Sequence, residues 1–481
     1  MEKHILSKST FIRGAQCLKS LYLNKKRPFL RDRLSDVQRA KFKRGTDVGV
    51  LAQQLFPGGI DLKPKSPSQF RKKVEETAQI IRTQSFDILY EAAFQYDQLL
   101  VLLDILVRDQ DGWHAYEVKS SLGVSETYLR DAAFQYYVIS QSGVELVDFH
   151  LITMNPDYKL NGSLNIQELF TKQNVLEEVE IRQKWIKQLV QQEKETLLLP
   201  HSPEIKIGHQ CNKPYPCDFQ GHCWKSVPDN SMLYLDSISE EDRFEAYYDG
   251  MDAPQLHDQS LFTPKQQIQL NSAIQKKLYI DTAFINDLLQ NNVSGTLFFN
   301  SYFIHPAVPA VQNTTPYHSI PIAAVRGVEA TSSNYEFFLP TSKAFELFIA
   351  YLRKTLSSAS ILICYDALPL FHFLEELNEK ELLNDIRGRI IDLKTVFNQT
   401  AVYHYLLKGN YEPDQVSKIL LKHDVKELNP AILSMNWQKT LFNNADDVEE
   451  LANQTEVYLG YLYRFTHNFL DFLKQTHQSL A

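Results

Sequence analysis

The 481-residue chain contains no uninterrupted apolar run of the roughly 18 residues that a membrane-spanning helix needs, so no span is expected. It has no Gly-x-x-x-x-Gly-Lys-Ser/Thr loop, which excludes a built-in nucleotide-driven motor. A motor, if one is used, comes from a partner chain such as a helicase or a defence-system component. The N-terminus shows no secretory leader pattern, and there are only five cysteines, so a disulfide framework is not expected. With 44% apolar residues the composition suits a soluble cytoplasmic enzyme of two or three domains. Positive charge does not predominate: 58 Asp and Glu outnumber 50 Lys and Arg, and the net charge of −8 speaks against a nucleic-acid binder when taken alone.

The distribution of charge points the other way. Residues 1–44 hold thirteen Lys or Arg against three Asp or Glu, ten net positive charges, so the remainder of the chain carries −18. A stretch containing Lys25, Lys26, Arg27 and Arg31 can track a phosphate backbone, and a solvated basic helix would read the same. Phe11, Tyr22 and Phe29 are interleaved with it, a pattern that suits base stacking and packing equally.

The most specific signal lies between Glu91 and Lys119. LLVLLDILV and WHAYEVK read as consecutive strands joined by the turn Asp109–Gly112. Asp104 stands alone in the first, otherwise apolar, strand. Burying an unpaired carboxylate costs on the order of 3 to 5 kcal/mol, so a cationic partner is expected. Glu117 on the paired strand would join it in holding Mg²⁺ or Mn²⁺ through oxygen ligands. Lys119, two residues on, faces the same side by strand alternation and could orient water or steady charge on a phosphate. A helix-like run carrying Gln135 follows.

Three of the cysteines stand as Cys211-x5-Cys217-x5-Cys223, and a fourth, Cys17, lies far upstream in RGAQCLKSLYL. Free thiols in such a pattern favour metal ligation, by Zn²⁺ or by an iron–sulfur cluster. Cys364, in SILICYDA, reads as a core strand residue.

Together these motifs resemble the PD-(D/E)xK nuclease superfamily, and within it the RecB-like branch with an iron–sulfur staple, found in AddB-type helicase–nucleases and in the exonucleases of CRISPR adaptation. The resemblance covers residues 1–225. It implies a restriction-endonuclease-like fold, metal binding by Asp104 and Glu117, a catalytic Lys119, and a downstream helix motif at Gln135 with Tyr136 or Tyr137 beside it. It also implies a 4Fe-4S cluster, with zinc as the alternative, on Cys17, Cys211, Cys217 and Cys223. Relatives carry a further His ligand on an early helix. RGTDVGVLAQQLF offers none, so either Asp47 or Glu91 substitutes or the site works with fewer ligands. The segments SKSTFIRGAQCLKSLYL, GTDVGVLAQQLFPGG and EVKSS are similar to a bacterial family that fuses this nuclease to a second domain.

The second half begins with an acidic, mostly helical connector over 226–285. From 286 to 481 strands and helices alternate: GTLFFNSYFI, IPIAAVRGVEA, NYEFFLP and SSASILICYDA read as strands, and AFELFIAYLRKTL as a helix. This suits an RNase H-like α/β layer. In the fused family this region resembles a DEDD-type 3′–5′ exonuclease, whose carboxylates hold two metal ions about 4 Å apart. Asn300 and Tyr302 stand where the first acidic pair belongs, and Leu462 lies near the last. Asp366 and Asp392 remain, more simply read as a strand-end cap and a solvated or capping carboxylate. The expectation is an α/β protein with one metal-dependent nuclease domain acting on DNA, or on RNA by the same mechanism, and a silent exonuclease-like domain. A non-catalytic nucleic-acid-binding or scaffold subunit is the alternative.

Overall fold

The computed structural model describes residues 5–33, 36–290, 295–338, 340–341, 343–423, 429–443 and 447–480. The chain divides into two compact units, Met1–Lys225 and Ser226–Ala481, and is mixed α/β. No helix among the described residues is long and apolar enough to cross a membrane.

The first unit runs β1 (Leu6–Ser7), α1 (Lys8–Gln16), α2 (Leu18–Lys26), α3 (Asp36–Ala52), β2 (Ile60–Asp61), α4 (Phe70–Thr83), β3 (Ile88–Tyr96), β4 (Leu99–Arg108), β5 (Trp113–Val118), α5 (Glu126–Gln141), β6 (Leu146–Met154) and β7 (Phe170–Asn174). Helix Gln183–Leu198 follows. The sheet order is β2-β3-β4-β5-β6-β7, with β1 parallel beside the first residues of β4. β3, β4 and β5 form an antiparallel meander, and α5 carries the chain over to β6, parallel to β5. The turn between β4 and β5 closes with the Asp109 N–H donating to the Gly112 carbonyl at 3.0 Å. Gly112 sits at φ 135°, where a side chain is rarely accommodated.

β4 is apolar along its length because both its faces are covered. Leu99, Val101 and Leu103 pack with Ala132, Phe134 and Val138 of α5, while Leu100 meets Val74 of α4 on the other side. Helix α1 lies against α5 through Phe11, whose ring stacks on Phe134 with centroids 4.1 Å apart. Burial of each such ring contributes about 1.5–3 kcal/mol.

In the second unit, β8 (Tyr279–Ile280) pairs with β14 (Val402–Tyr403). The main sheet comprises β9 (Thr296–Ile304), β10 (Ile320–Glu329), β11 (Ser332–Phe337), β12 (Ile361–Cys364) and β13 (Ile390–Asp392), in the order β11-β10-β9-β12-β13. The first three are antiparallel, whereas β12 runs parallel to both β9 and β13. Alternation along β9 divides the core. Phe299 and Phe303 pack under helix Ala344–Ser358, and Phe298, Tyr302 and Ile304 under helix Val448–Leu480. The segment read as a connector, 226–285, is helical over Glu240–Tyr248 and Pro264–Gln275. It belongs to the second unit: Met232, Leu235 and Leu270 form a common cluster with Tyr403.

Candidate functional site

The β4–β5 ladder is paired as far as Ile105 with Tyr116. One step further the same register sets Asp104 opposite Glu117, and there the ladder gives way: the Val118 N–H donates to Asp104 Oδ2 at 2.7 Å instead of to backbone. Glu117 is 1% exposed. Its Oε1 accepts from Lys119 Nζ at 2.7 Å and from Lys8 Nζ at 2.6 Å, whereas its Oε2 is buried with no hydrogen-bond partner. Lys119 also donates to Asp131 Oδ2 at 2.5 Å and lies 5.3 Å from the centroid of the Tyr128 ring. Lys8 Nζ is 3.9 Å from that same Asp131 oxygen.

Asp131 and Gln135 are one helical turn apart on α5 and therefore share a face. Gln135 is 0% exposed, and neither its amide nitrogen nor its oxygen has a hydrogen-bond partner. Orphaned buried polar atoms are costly, about 1–3 kcal/mol each. Glu117 Oε2, Asp131 Oδ1 and both amide atoms of Gln135 are four of them in the residues of one site.

The charges are strongly coupled. Burial, then the Glu117 charge, pushes Asp104 above the ordinary carboxylate range, with Lys8 and Lys119 opposing. Burial acts the same way on Glu117, but Lys119 and Lys8 outweigh it and hold Glu117 low. Burial works against both ammoniums, yet Asp131 and Glu117 together raise Lys8 and Lys119 above the normal lysine value.

Asp104, Glu117, Lys119 and the helix carrying Gln135 thus come together as the sequence suggested. Of the substitute ligands, Glu91 falls opposite Asp104 on β3, at φ 53° where the β3–β4 pairing skips a residue, and its carboxylate is engaged by Lys63 at 3.0 Å; Asp47 is exposed on α3. Tyr136 reaches Glu180, and Tyr137 packs its ring edge-on against Tyr96. Lys8, Asp131 and Tyr128 were missed. The spacing of Asp131 to Gln135 on a helix face was a usable signal, while Lys8 is 109 residues from Glu117 and left none.

In the basic segment, Lys25, Lys26 and Arg27 are exposed at the end of α2. Arg31 is instead tied to Asp218 at 3.1 Å. Phe11 and Tyr22, offered as stacking rings, are buried in the packing; Phe29 is 80% exposed.

Cys17, Cys211, Cys217 and Cys223 line one small pocket together with Lys19 and Phe219. All four are free thiols. Burial raises Cys17, and raises Cys223 to about 11, with the neighbouring cysteines adding to both. The pocket is joined to the carboxylate site through α1 and the loop between Cys211 and Cys217. Arg13 pairs with Asp218. Gln16 Nε2 donates to the carbonyls of Gln210 and Tyr215, each at 2.7 Å, and Tyr215 lies near enough to Tyr128, Lys119 and Asp131 to feel their charge.

Among the described residues no group of three or more His, Cys, Asp or Glu is gathered to hold a metal ion. For Mg²⁺ this is compatible with Asp104 and Glu117, because that ion is held by one or two carboxylates and completes its shell with water and phosphate. The unpartnered Glu117 Oε2 fits such a ligand. Four thiols around one pocket are the donor set of either a zinc ion or an iron–sulfur cluster.

In the second unit a cavity of about 200 Å³ opens beyond the carboxyl ends of β12 and β13, where open α/β sheets bind ligands. Asn300, Tyr302, Asp366, Lys394, Glu412 and Leu462 are among its lining residues. Asp366, at φ 67°, is held by Lys394 at 2.9 Å, and Lys394 reaches Glu412 at 3.2 Å. Asp392 caps backbone: it accepts from the N–H groups of Asp366, Ala367 and Lys394. Tyr302 donates to the Pro430 carbonyl and Asn300 accepts from Thr466. Cys364 is buried at the end of β12.

No curated protein matches the chain. A family model described as a domain of unknown function (DUF2779) matches residues 299–412, a stretch that begins and ends on residues lining this second-unit cavity.

Proposed function

We propose that the chain is a metal-dependent nuclease that hydrolyses phosphodiester bonds of DNA at the Asp104–Glu117–Lys119 site of its first unit. The observation that carries this is Glu117: one oxygen held by two ammoniums, the other buried and unpartnered, opposite Asp104 where the ladder opens. Asp104 and Glu117 would hold Mg²⁺ or Mn²⁺, which when bound polarises the phosphate and acidifies a water. Lys119, fixed between Glu117 and Asp131, presents an ammonium to the attacked phosphate and its nucleophile. Gln135, fully buried with an unsatisfied amide, has a donor and an acceptor to orient water or a phosphate oxygen. The exposed Lys25, Lys26 and Arg27 suit a nucleic-acid backbone.

The cysteine pocket, lined by four free thiols, suits a 4Fe-4S cluster, with zinc as the alternative. In the second unit the strand order and the cavity support an exonuclease-like fold, and its carboxylates are already engaged by Lys394 or by backbone, which supports a silent site.

The test is digestion of end-labelled single- and double-stranded DNA and RNA in Mg²⁺, Mn²⁺ or EDTA, beside a Lys119→Ala chain. Metal-dependent cleavage of DNA lost in Lys119→Ala is the expected result. Cleavage of RNA alone would reassign the substrate, and absence of cleavage in every condition would leave a binding subunit.

A further inference from the structure

We infer that Lys8, at the start of α1, is a second substrate-binding cation of this site, taking a non-bridging phosphate oxygen of the nucleic acid; the inference rests on the nuclease reading above. Two ammoniums share the Glu117 Oε1 oxygen, and they differ in surroundings. Lys119 is locked by Glu117 and Asp131 with its side chain 15% exposed, whereas Lys8 is 31% exposed and has its one short bond to Glu117. Lys8 is therefore the less enclosed and less tightly held of the two ammoniums, the one with room to take an incoming anion.

The charge balance assigns it a task. Asp104, Glu117 and Asp131 against Lys8 and Lys119 leave one net negative charge when all are ionised. A bound divalent cation turns this to one net positive charge, and one phosphodiester brings the site to neutrality. Without Lys8 the metal-loaded site would be neutral before substrate arrived and would exert no net pull on a phosphate. The backbone supports a fixed position: Phe11, one turn along α1, is stacked on Phe134 of α5, and Arg13 anchors the helix to Asp218.

The experiment compares wild type, Lys8→Met and Lys8→Arg in the full chain. Binding of a single-stranded oligonucleotide is measured in Ca²⁺ across a salt series, and steady-state cleavage in Mg²⁺. Lys8→Met should weaken binding and raise KM about tenfold, and lower the slope of log K against log salt by about 0.7, the value of one phosphate contact on a single strand. Lys8→Arg, which keeps the charge, should restore the slope. An unchanged slope and KM in Lys8→Met overturns the role of Lys8 while leaving the nuclease intact. Binding with the expected slope change but without cleavage in any metal would sink the nuclease reading and keep Lys8 as a phosphate ligand. Neither binding nor cleavage by wild type would sink both.

Discussion

Glu117 carries the proposed chemistry, because its two oxygens have different surroundings. If it and Asp104 hold the metal as proposed, Glu117→Gln or Asp104→Ala should lower metal-dependent cleavage by at least about a hundredfold. Circular dichroism should stay unchanged, and wild-type rates in purified Asp104→Ala would refute the assignment. A second carboxyl is buried for a different reason. Glu193 is 0% exposed, neither oxygen has a hydrogen-bond partner, and a Cβ added at Gly14 of α1 would run into it. Burial alone pushes it up to about 10 from an ordinary value of 4.5. The folded chain keeps this proton across neutral pH while the unfolded chain releases it, so the unfolded state binds fewer protons and stability falls as pH rises between those values. The slope approaches about 1.4 kcal/mol per pH unit. Glu193→Gln should flatten the decline, measured as the urea midpoint from pH 5 to 9; parallel curves for the two proteins would show that Glu193 is ionised in the fold.

At the scale of elements, α1 is a short rod with a different chemistry at each end: Lys8 on Glu117, and Cys17 at its C-terminal cap. Cys217→Ser should therefore remove visible charge-transfer absorption from anaerobically purified protein and loosen α1 as well. Hydrogen exchange should rise over residues 8–26 and 205–224 together. Stoichiometric zinc without iron in the wild type would reject the cluster. The β4–turn–β5 hairpin and α5 were legible in the sequence because their signals are local: a four-residue turn with Gly112 fixes the register, and the register sets Asp104 across from Glu117. Lys8, Tyr215 and the Arg31–Asp218 pair were not legible, since each depends on packing between segments about a hundred or more residues apart. Phe11 and Tyr22 left both readings open, because a ring beside basic residues has the same pattern whether it stacks on a base or packs in a core, as both do here. The connector was misplaced for a related reason: its helices were visible, but the Tyr403 they pack around lies far downstream.

For the whole molecule, the division at Lys225 and Ser226 separates an ionisable site with unsatisfied polar atoms from one whose carboxylates are bound internally. In the full chain, Asp366→Ala should leave metal-dependent digestion at the wild-type rate, and Lys119→Ala should leave none. Residual 3′–5′ digestion in Lys119→Ala that disappears on adding Asp366→Ala would show the second unit to be active. The cysteine pocket has a consequence for how the protein is made. Cys17 emerges from the ribosome early, but Cys211 follows 194 residues later, and at about 5–20 residues per second that is a wait of roughly 10–40 s. Through that interval Tyr22 and Leu23 lack Phe219, the residue that covers them in the finished fold. This corner of the first unit therefore closes last, after the residues of its sheet have been made, and until then Cys17 lacks the three cysteines that share its pocket.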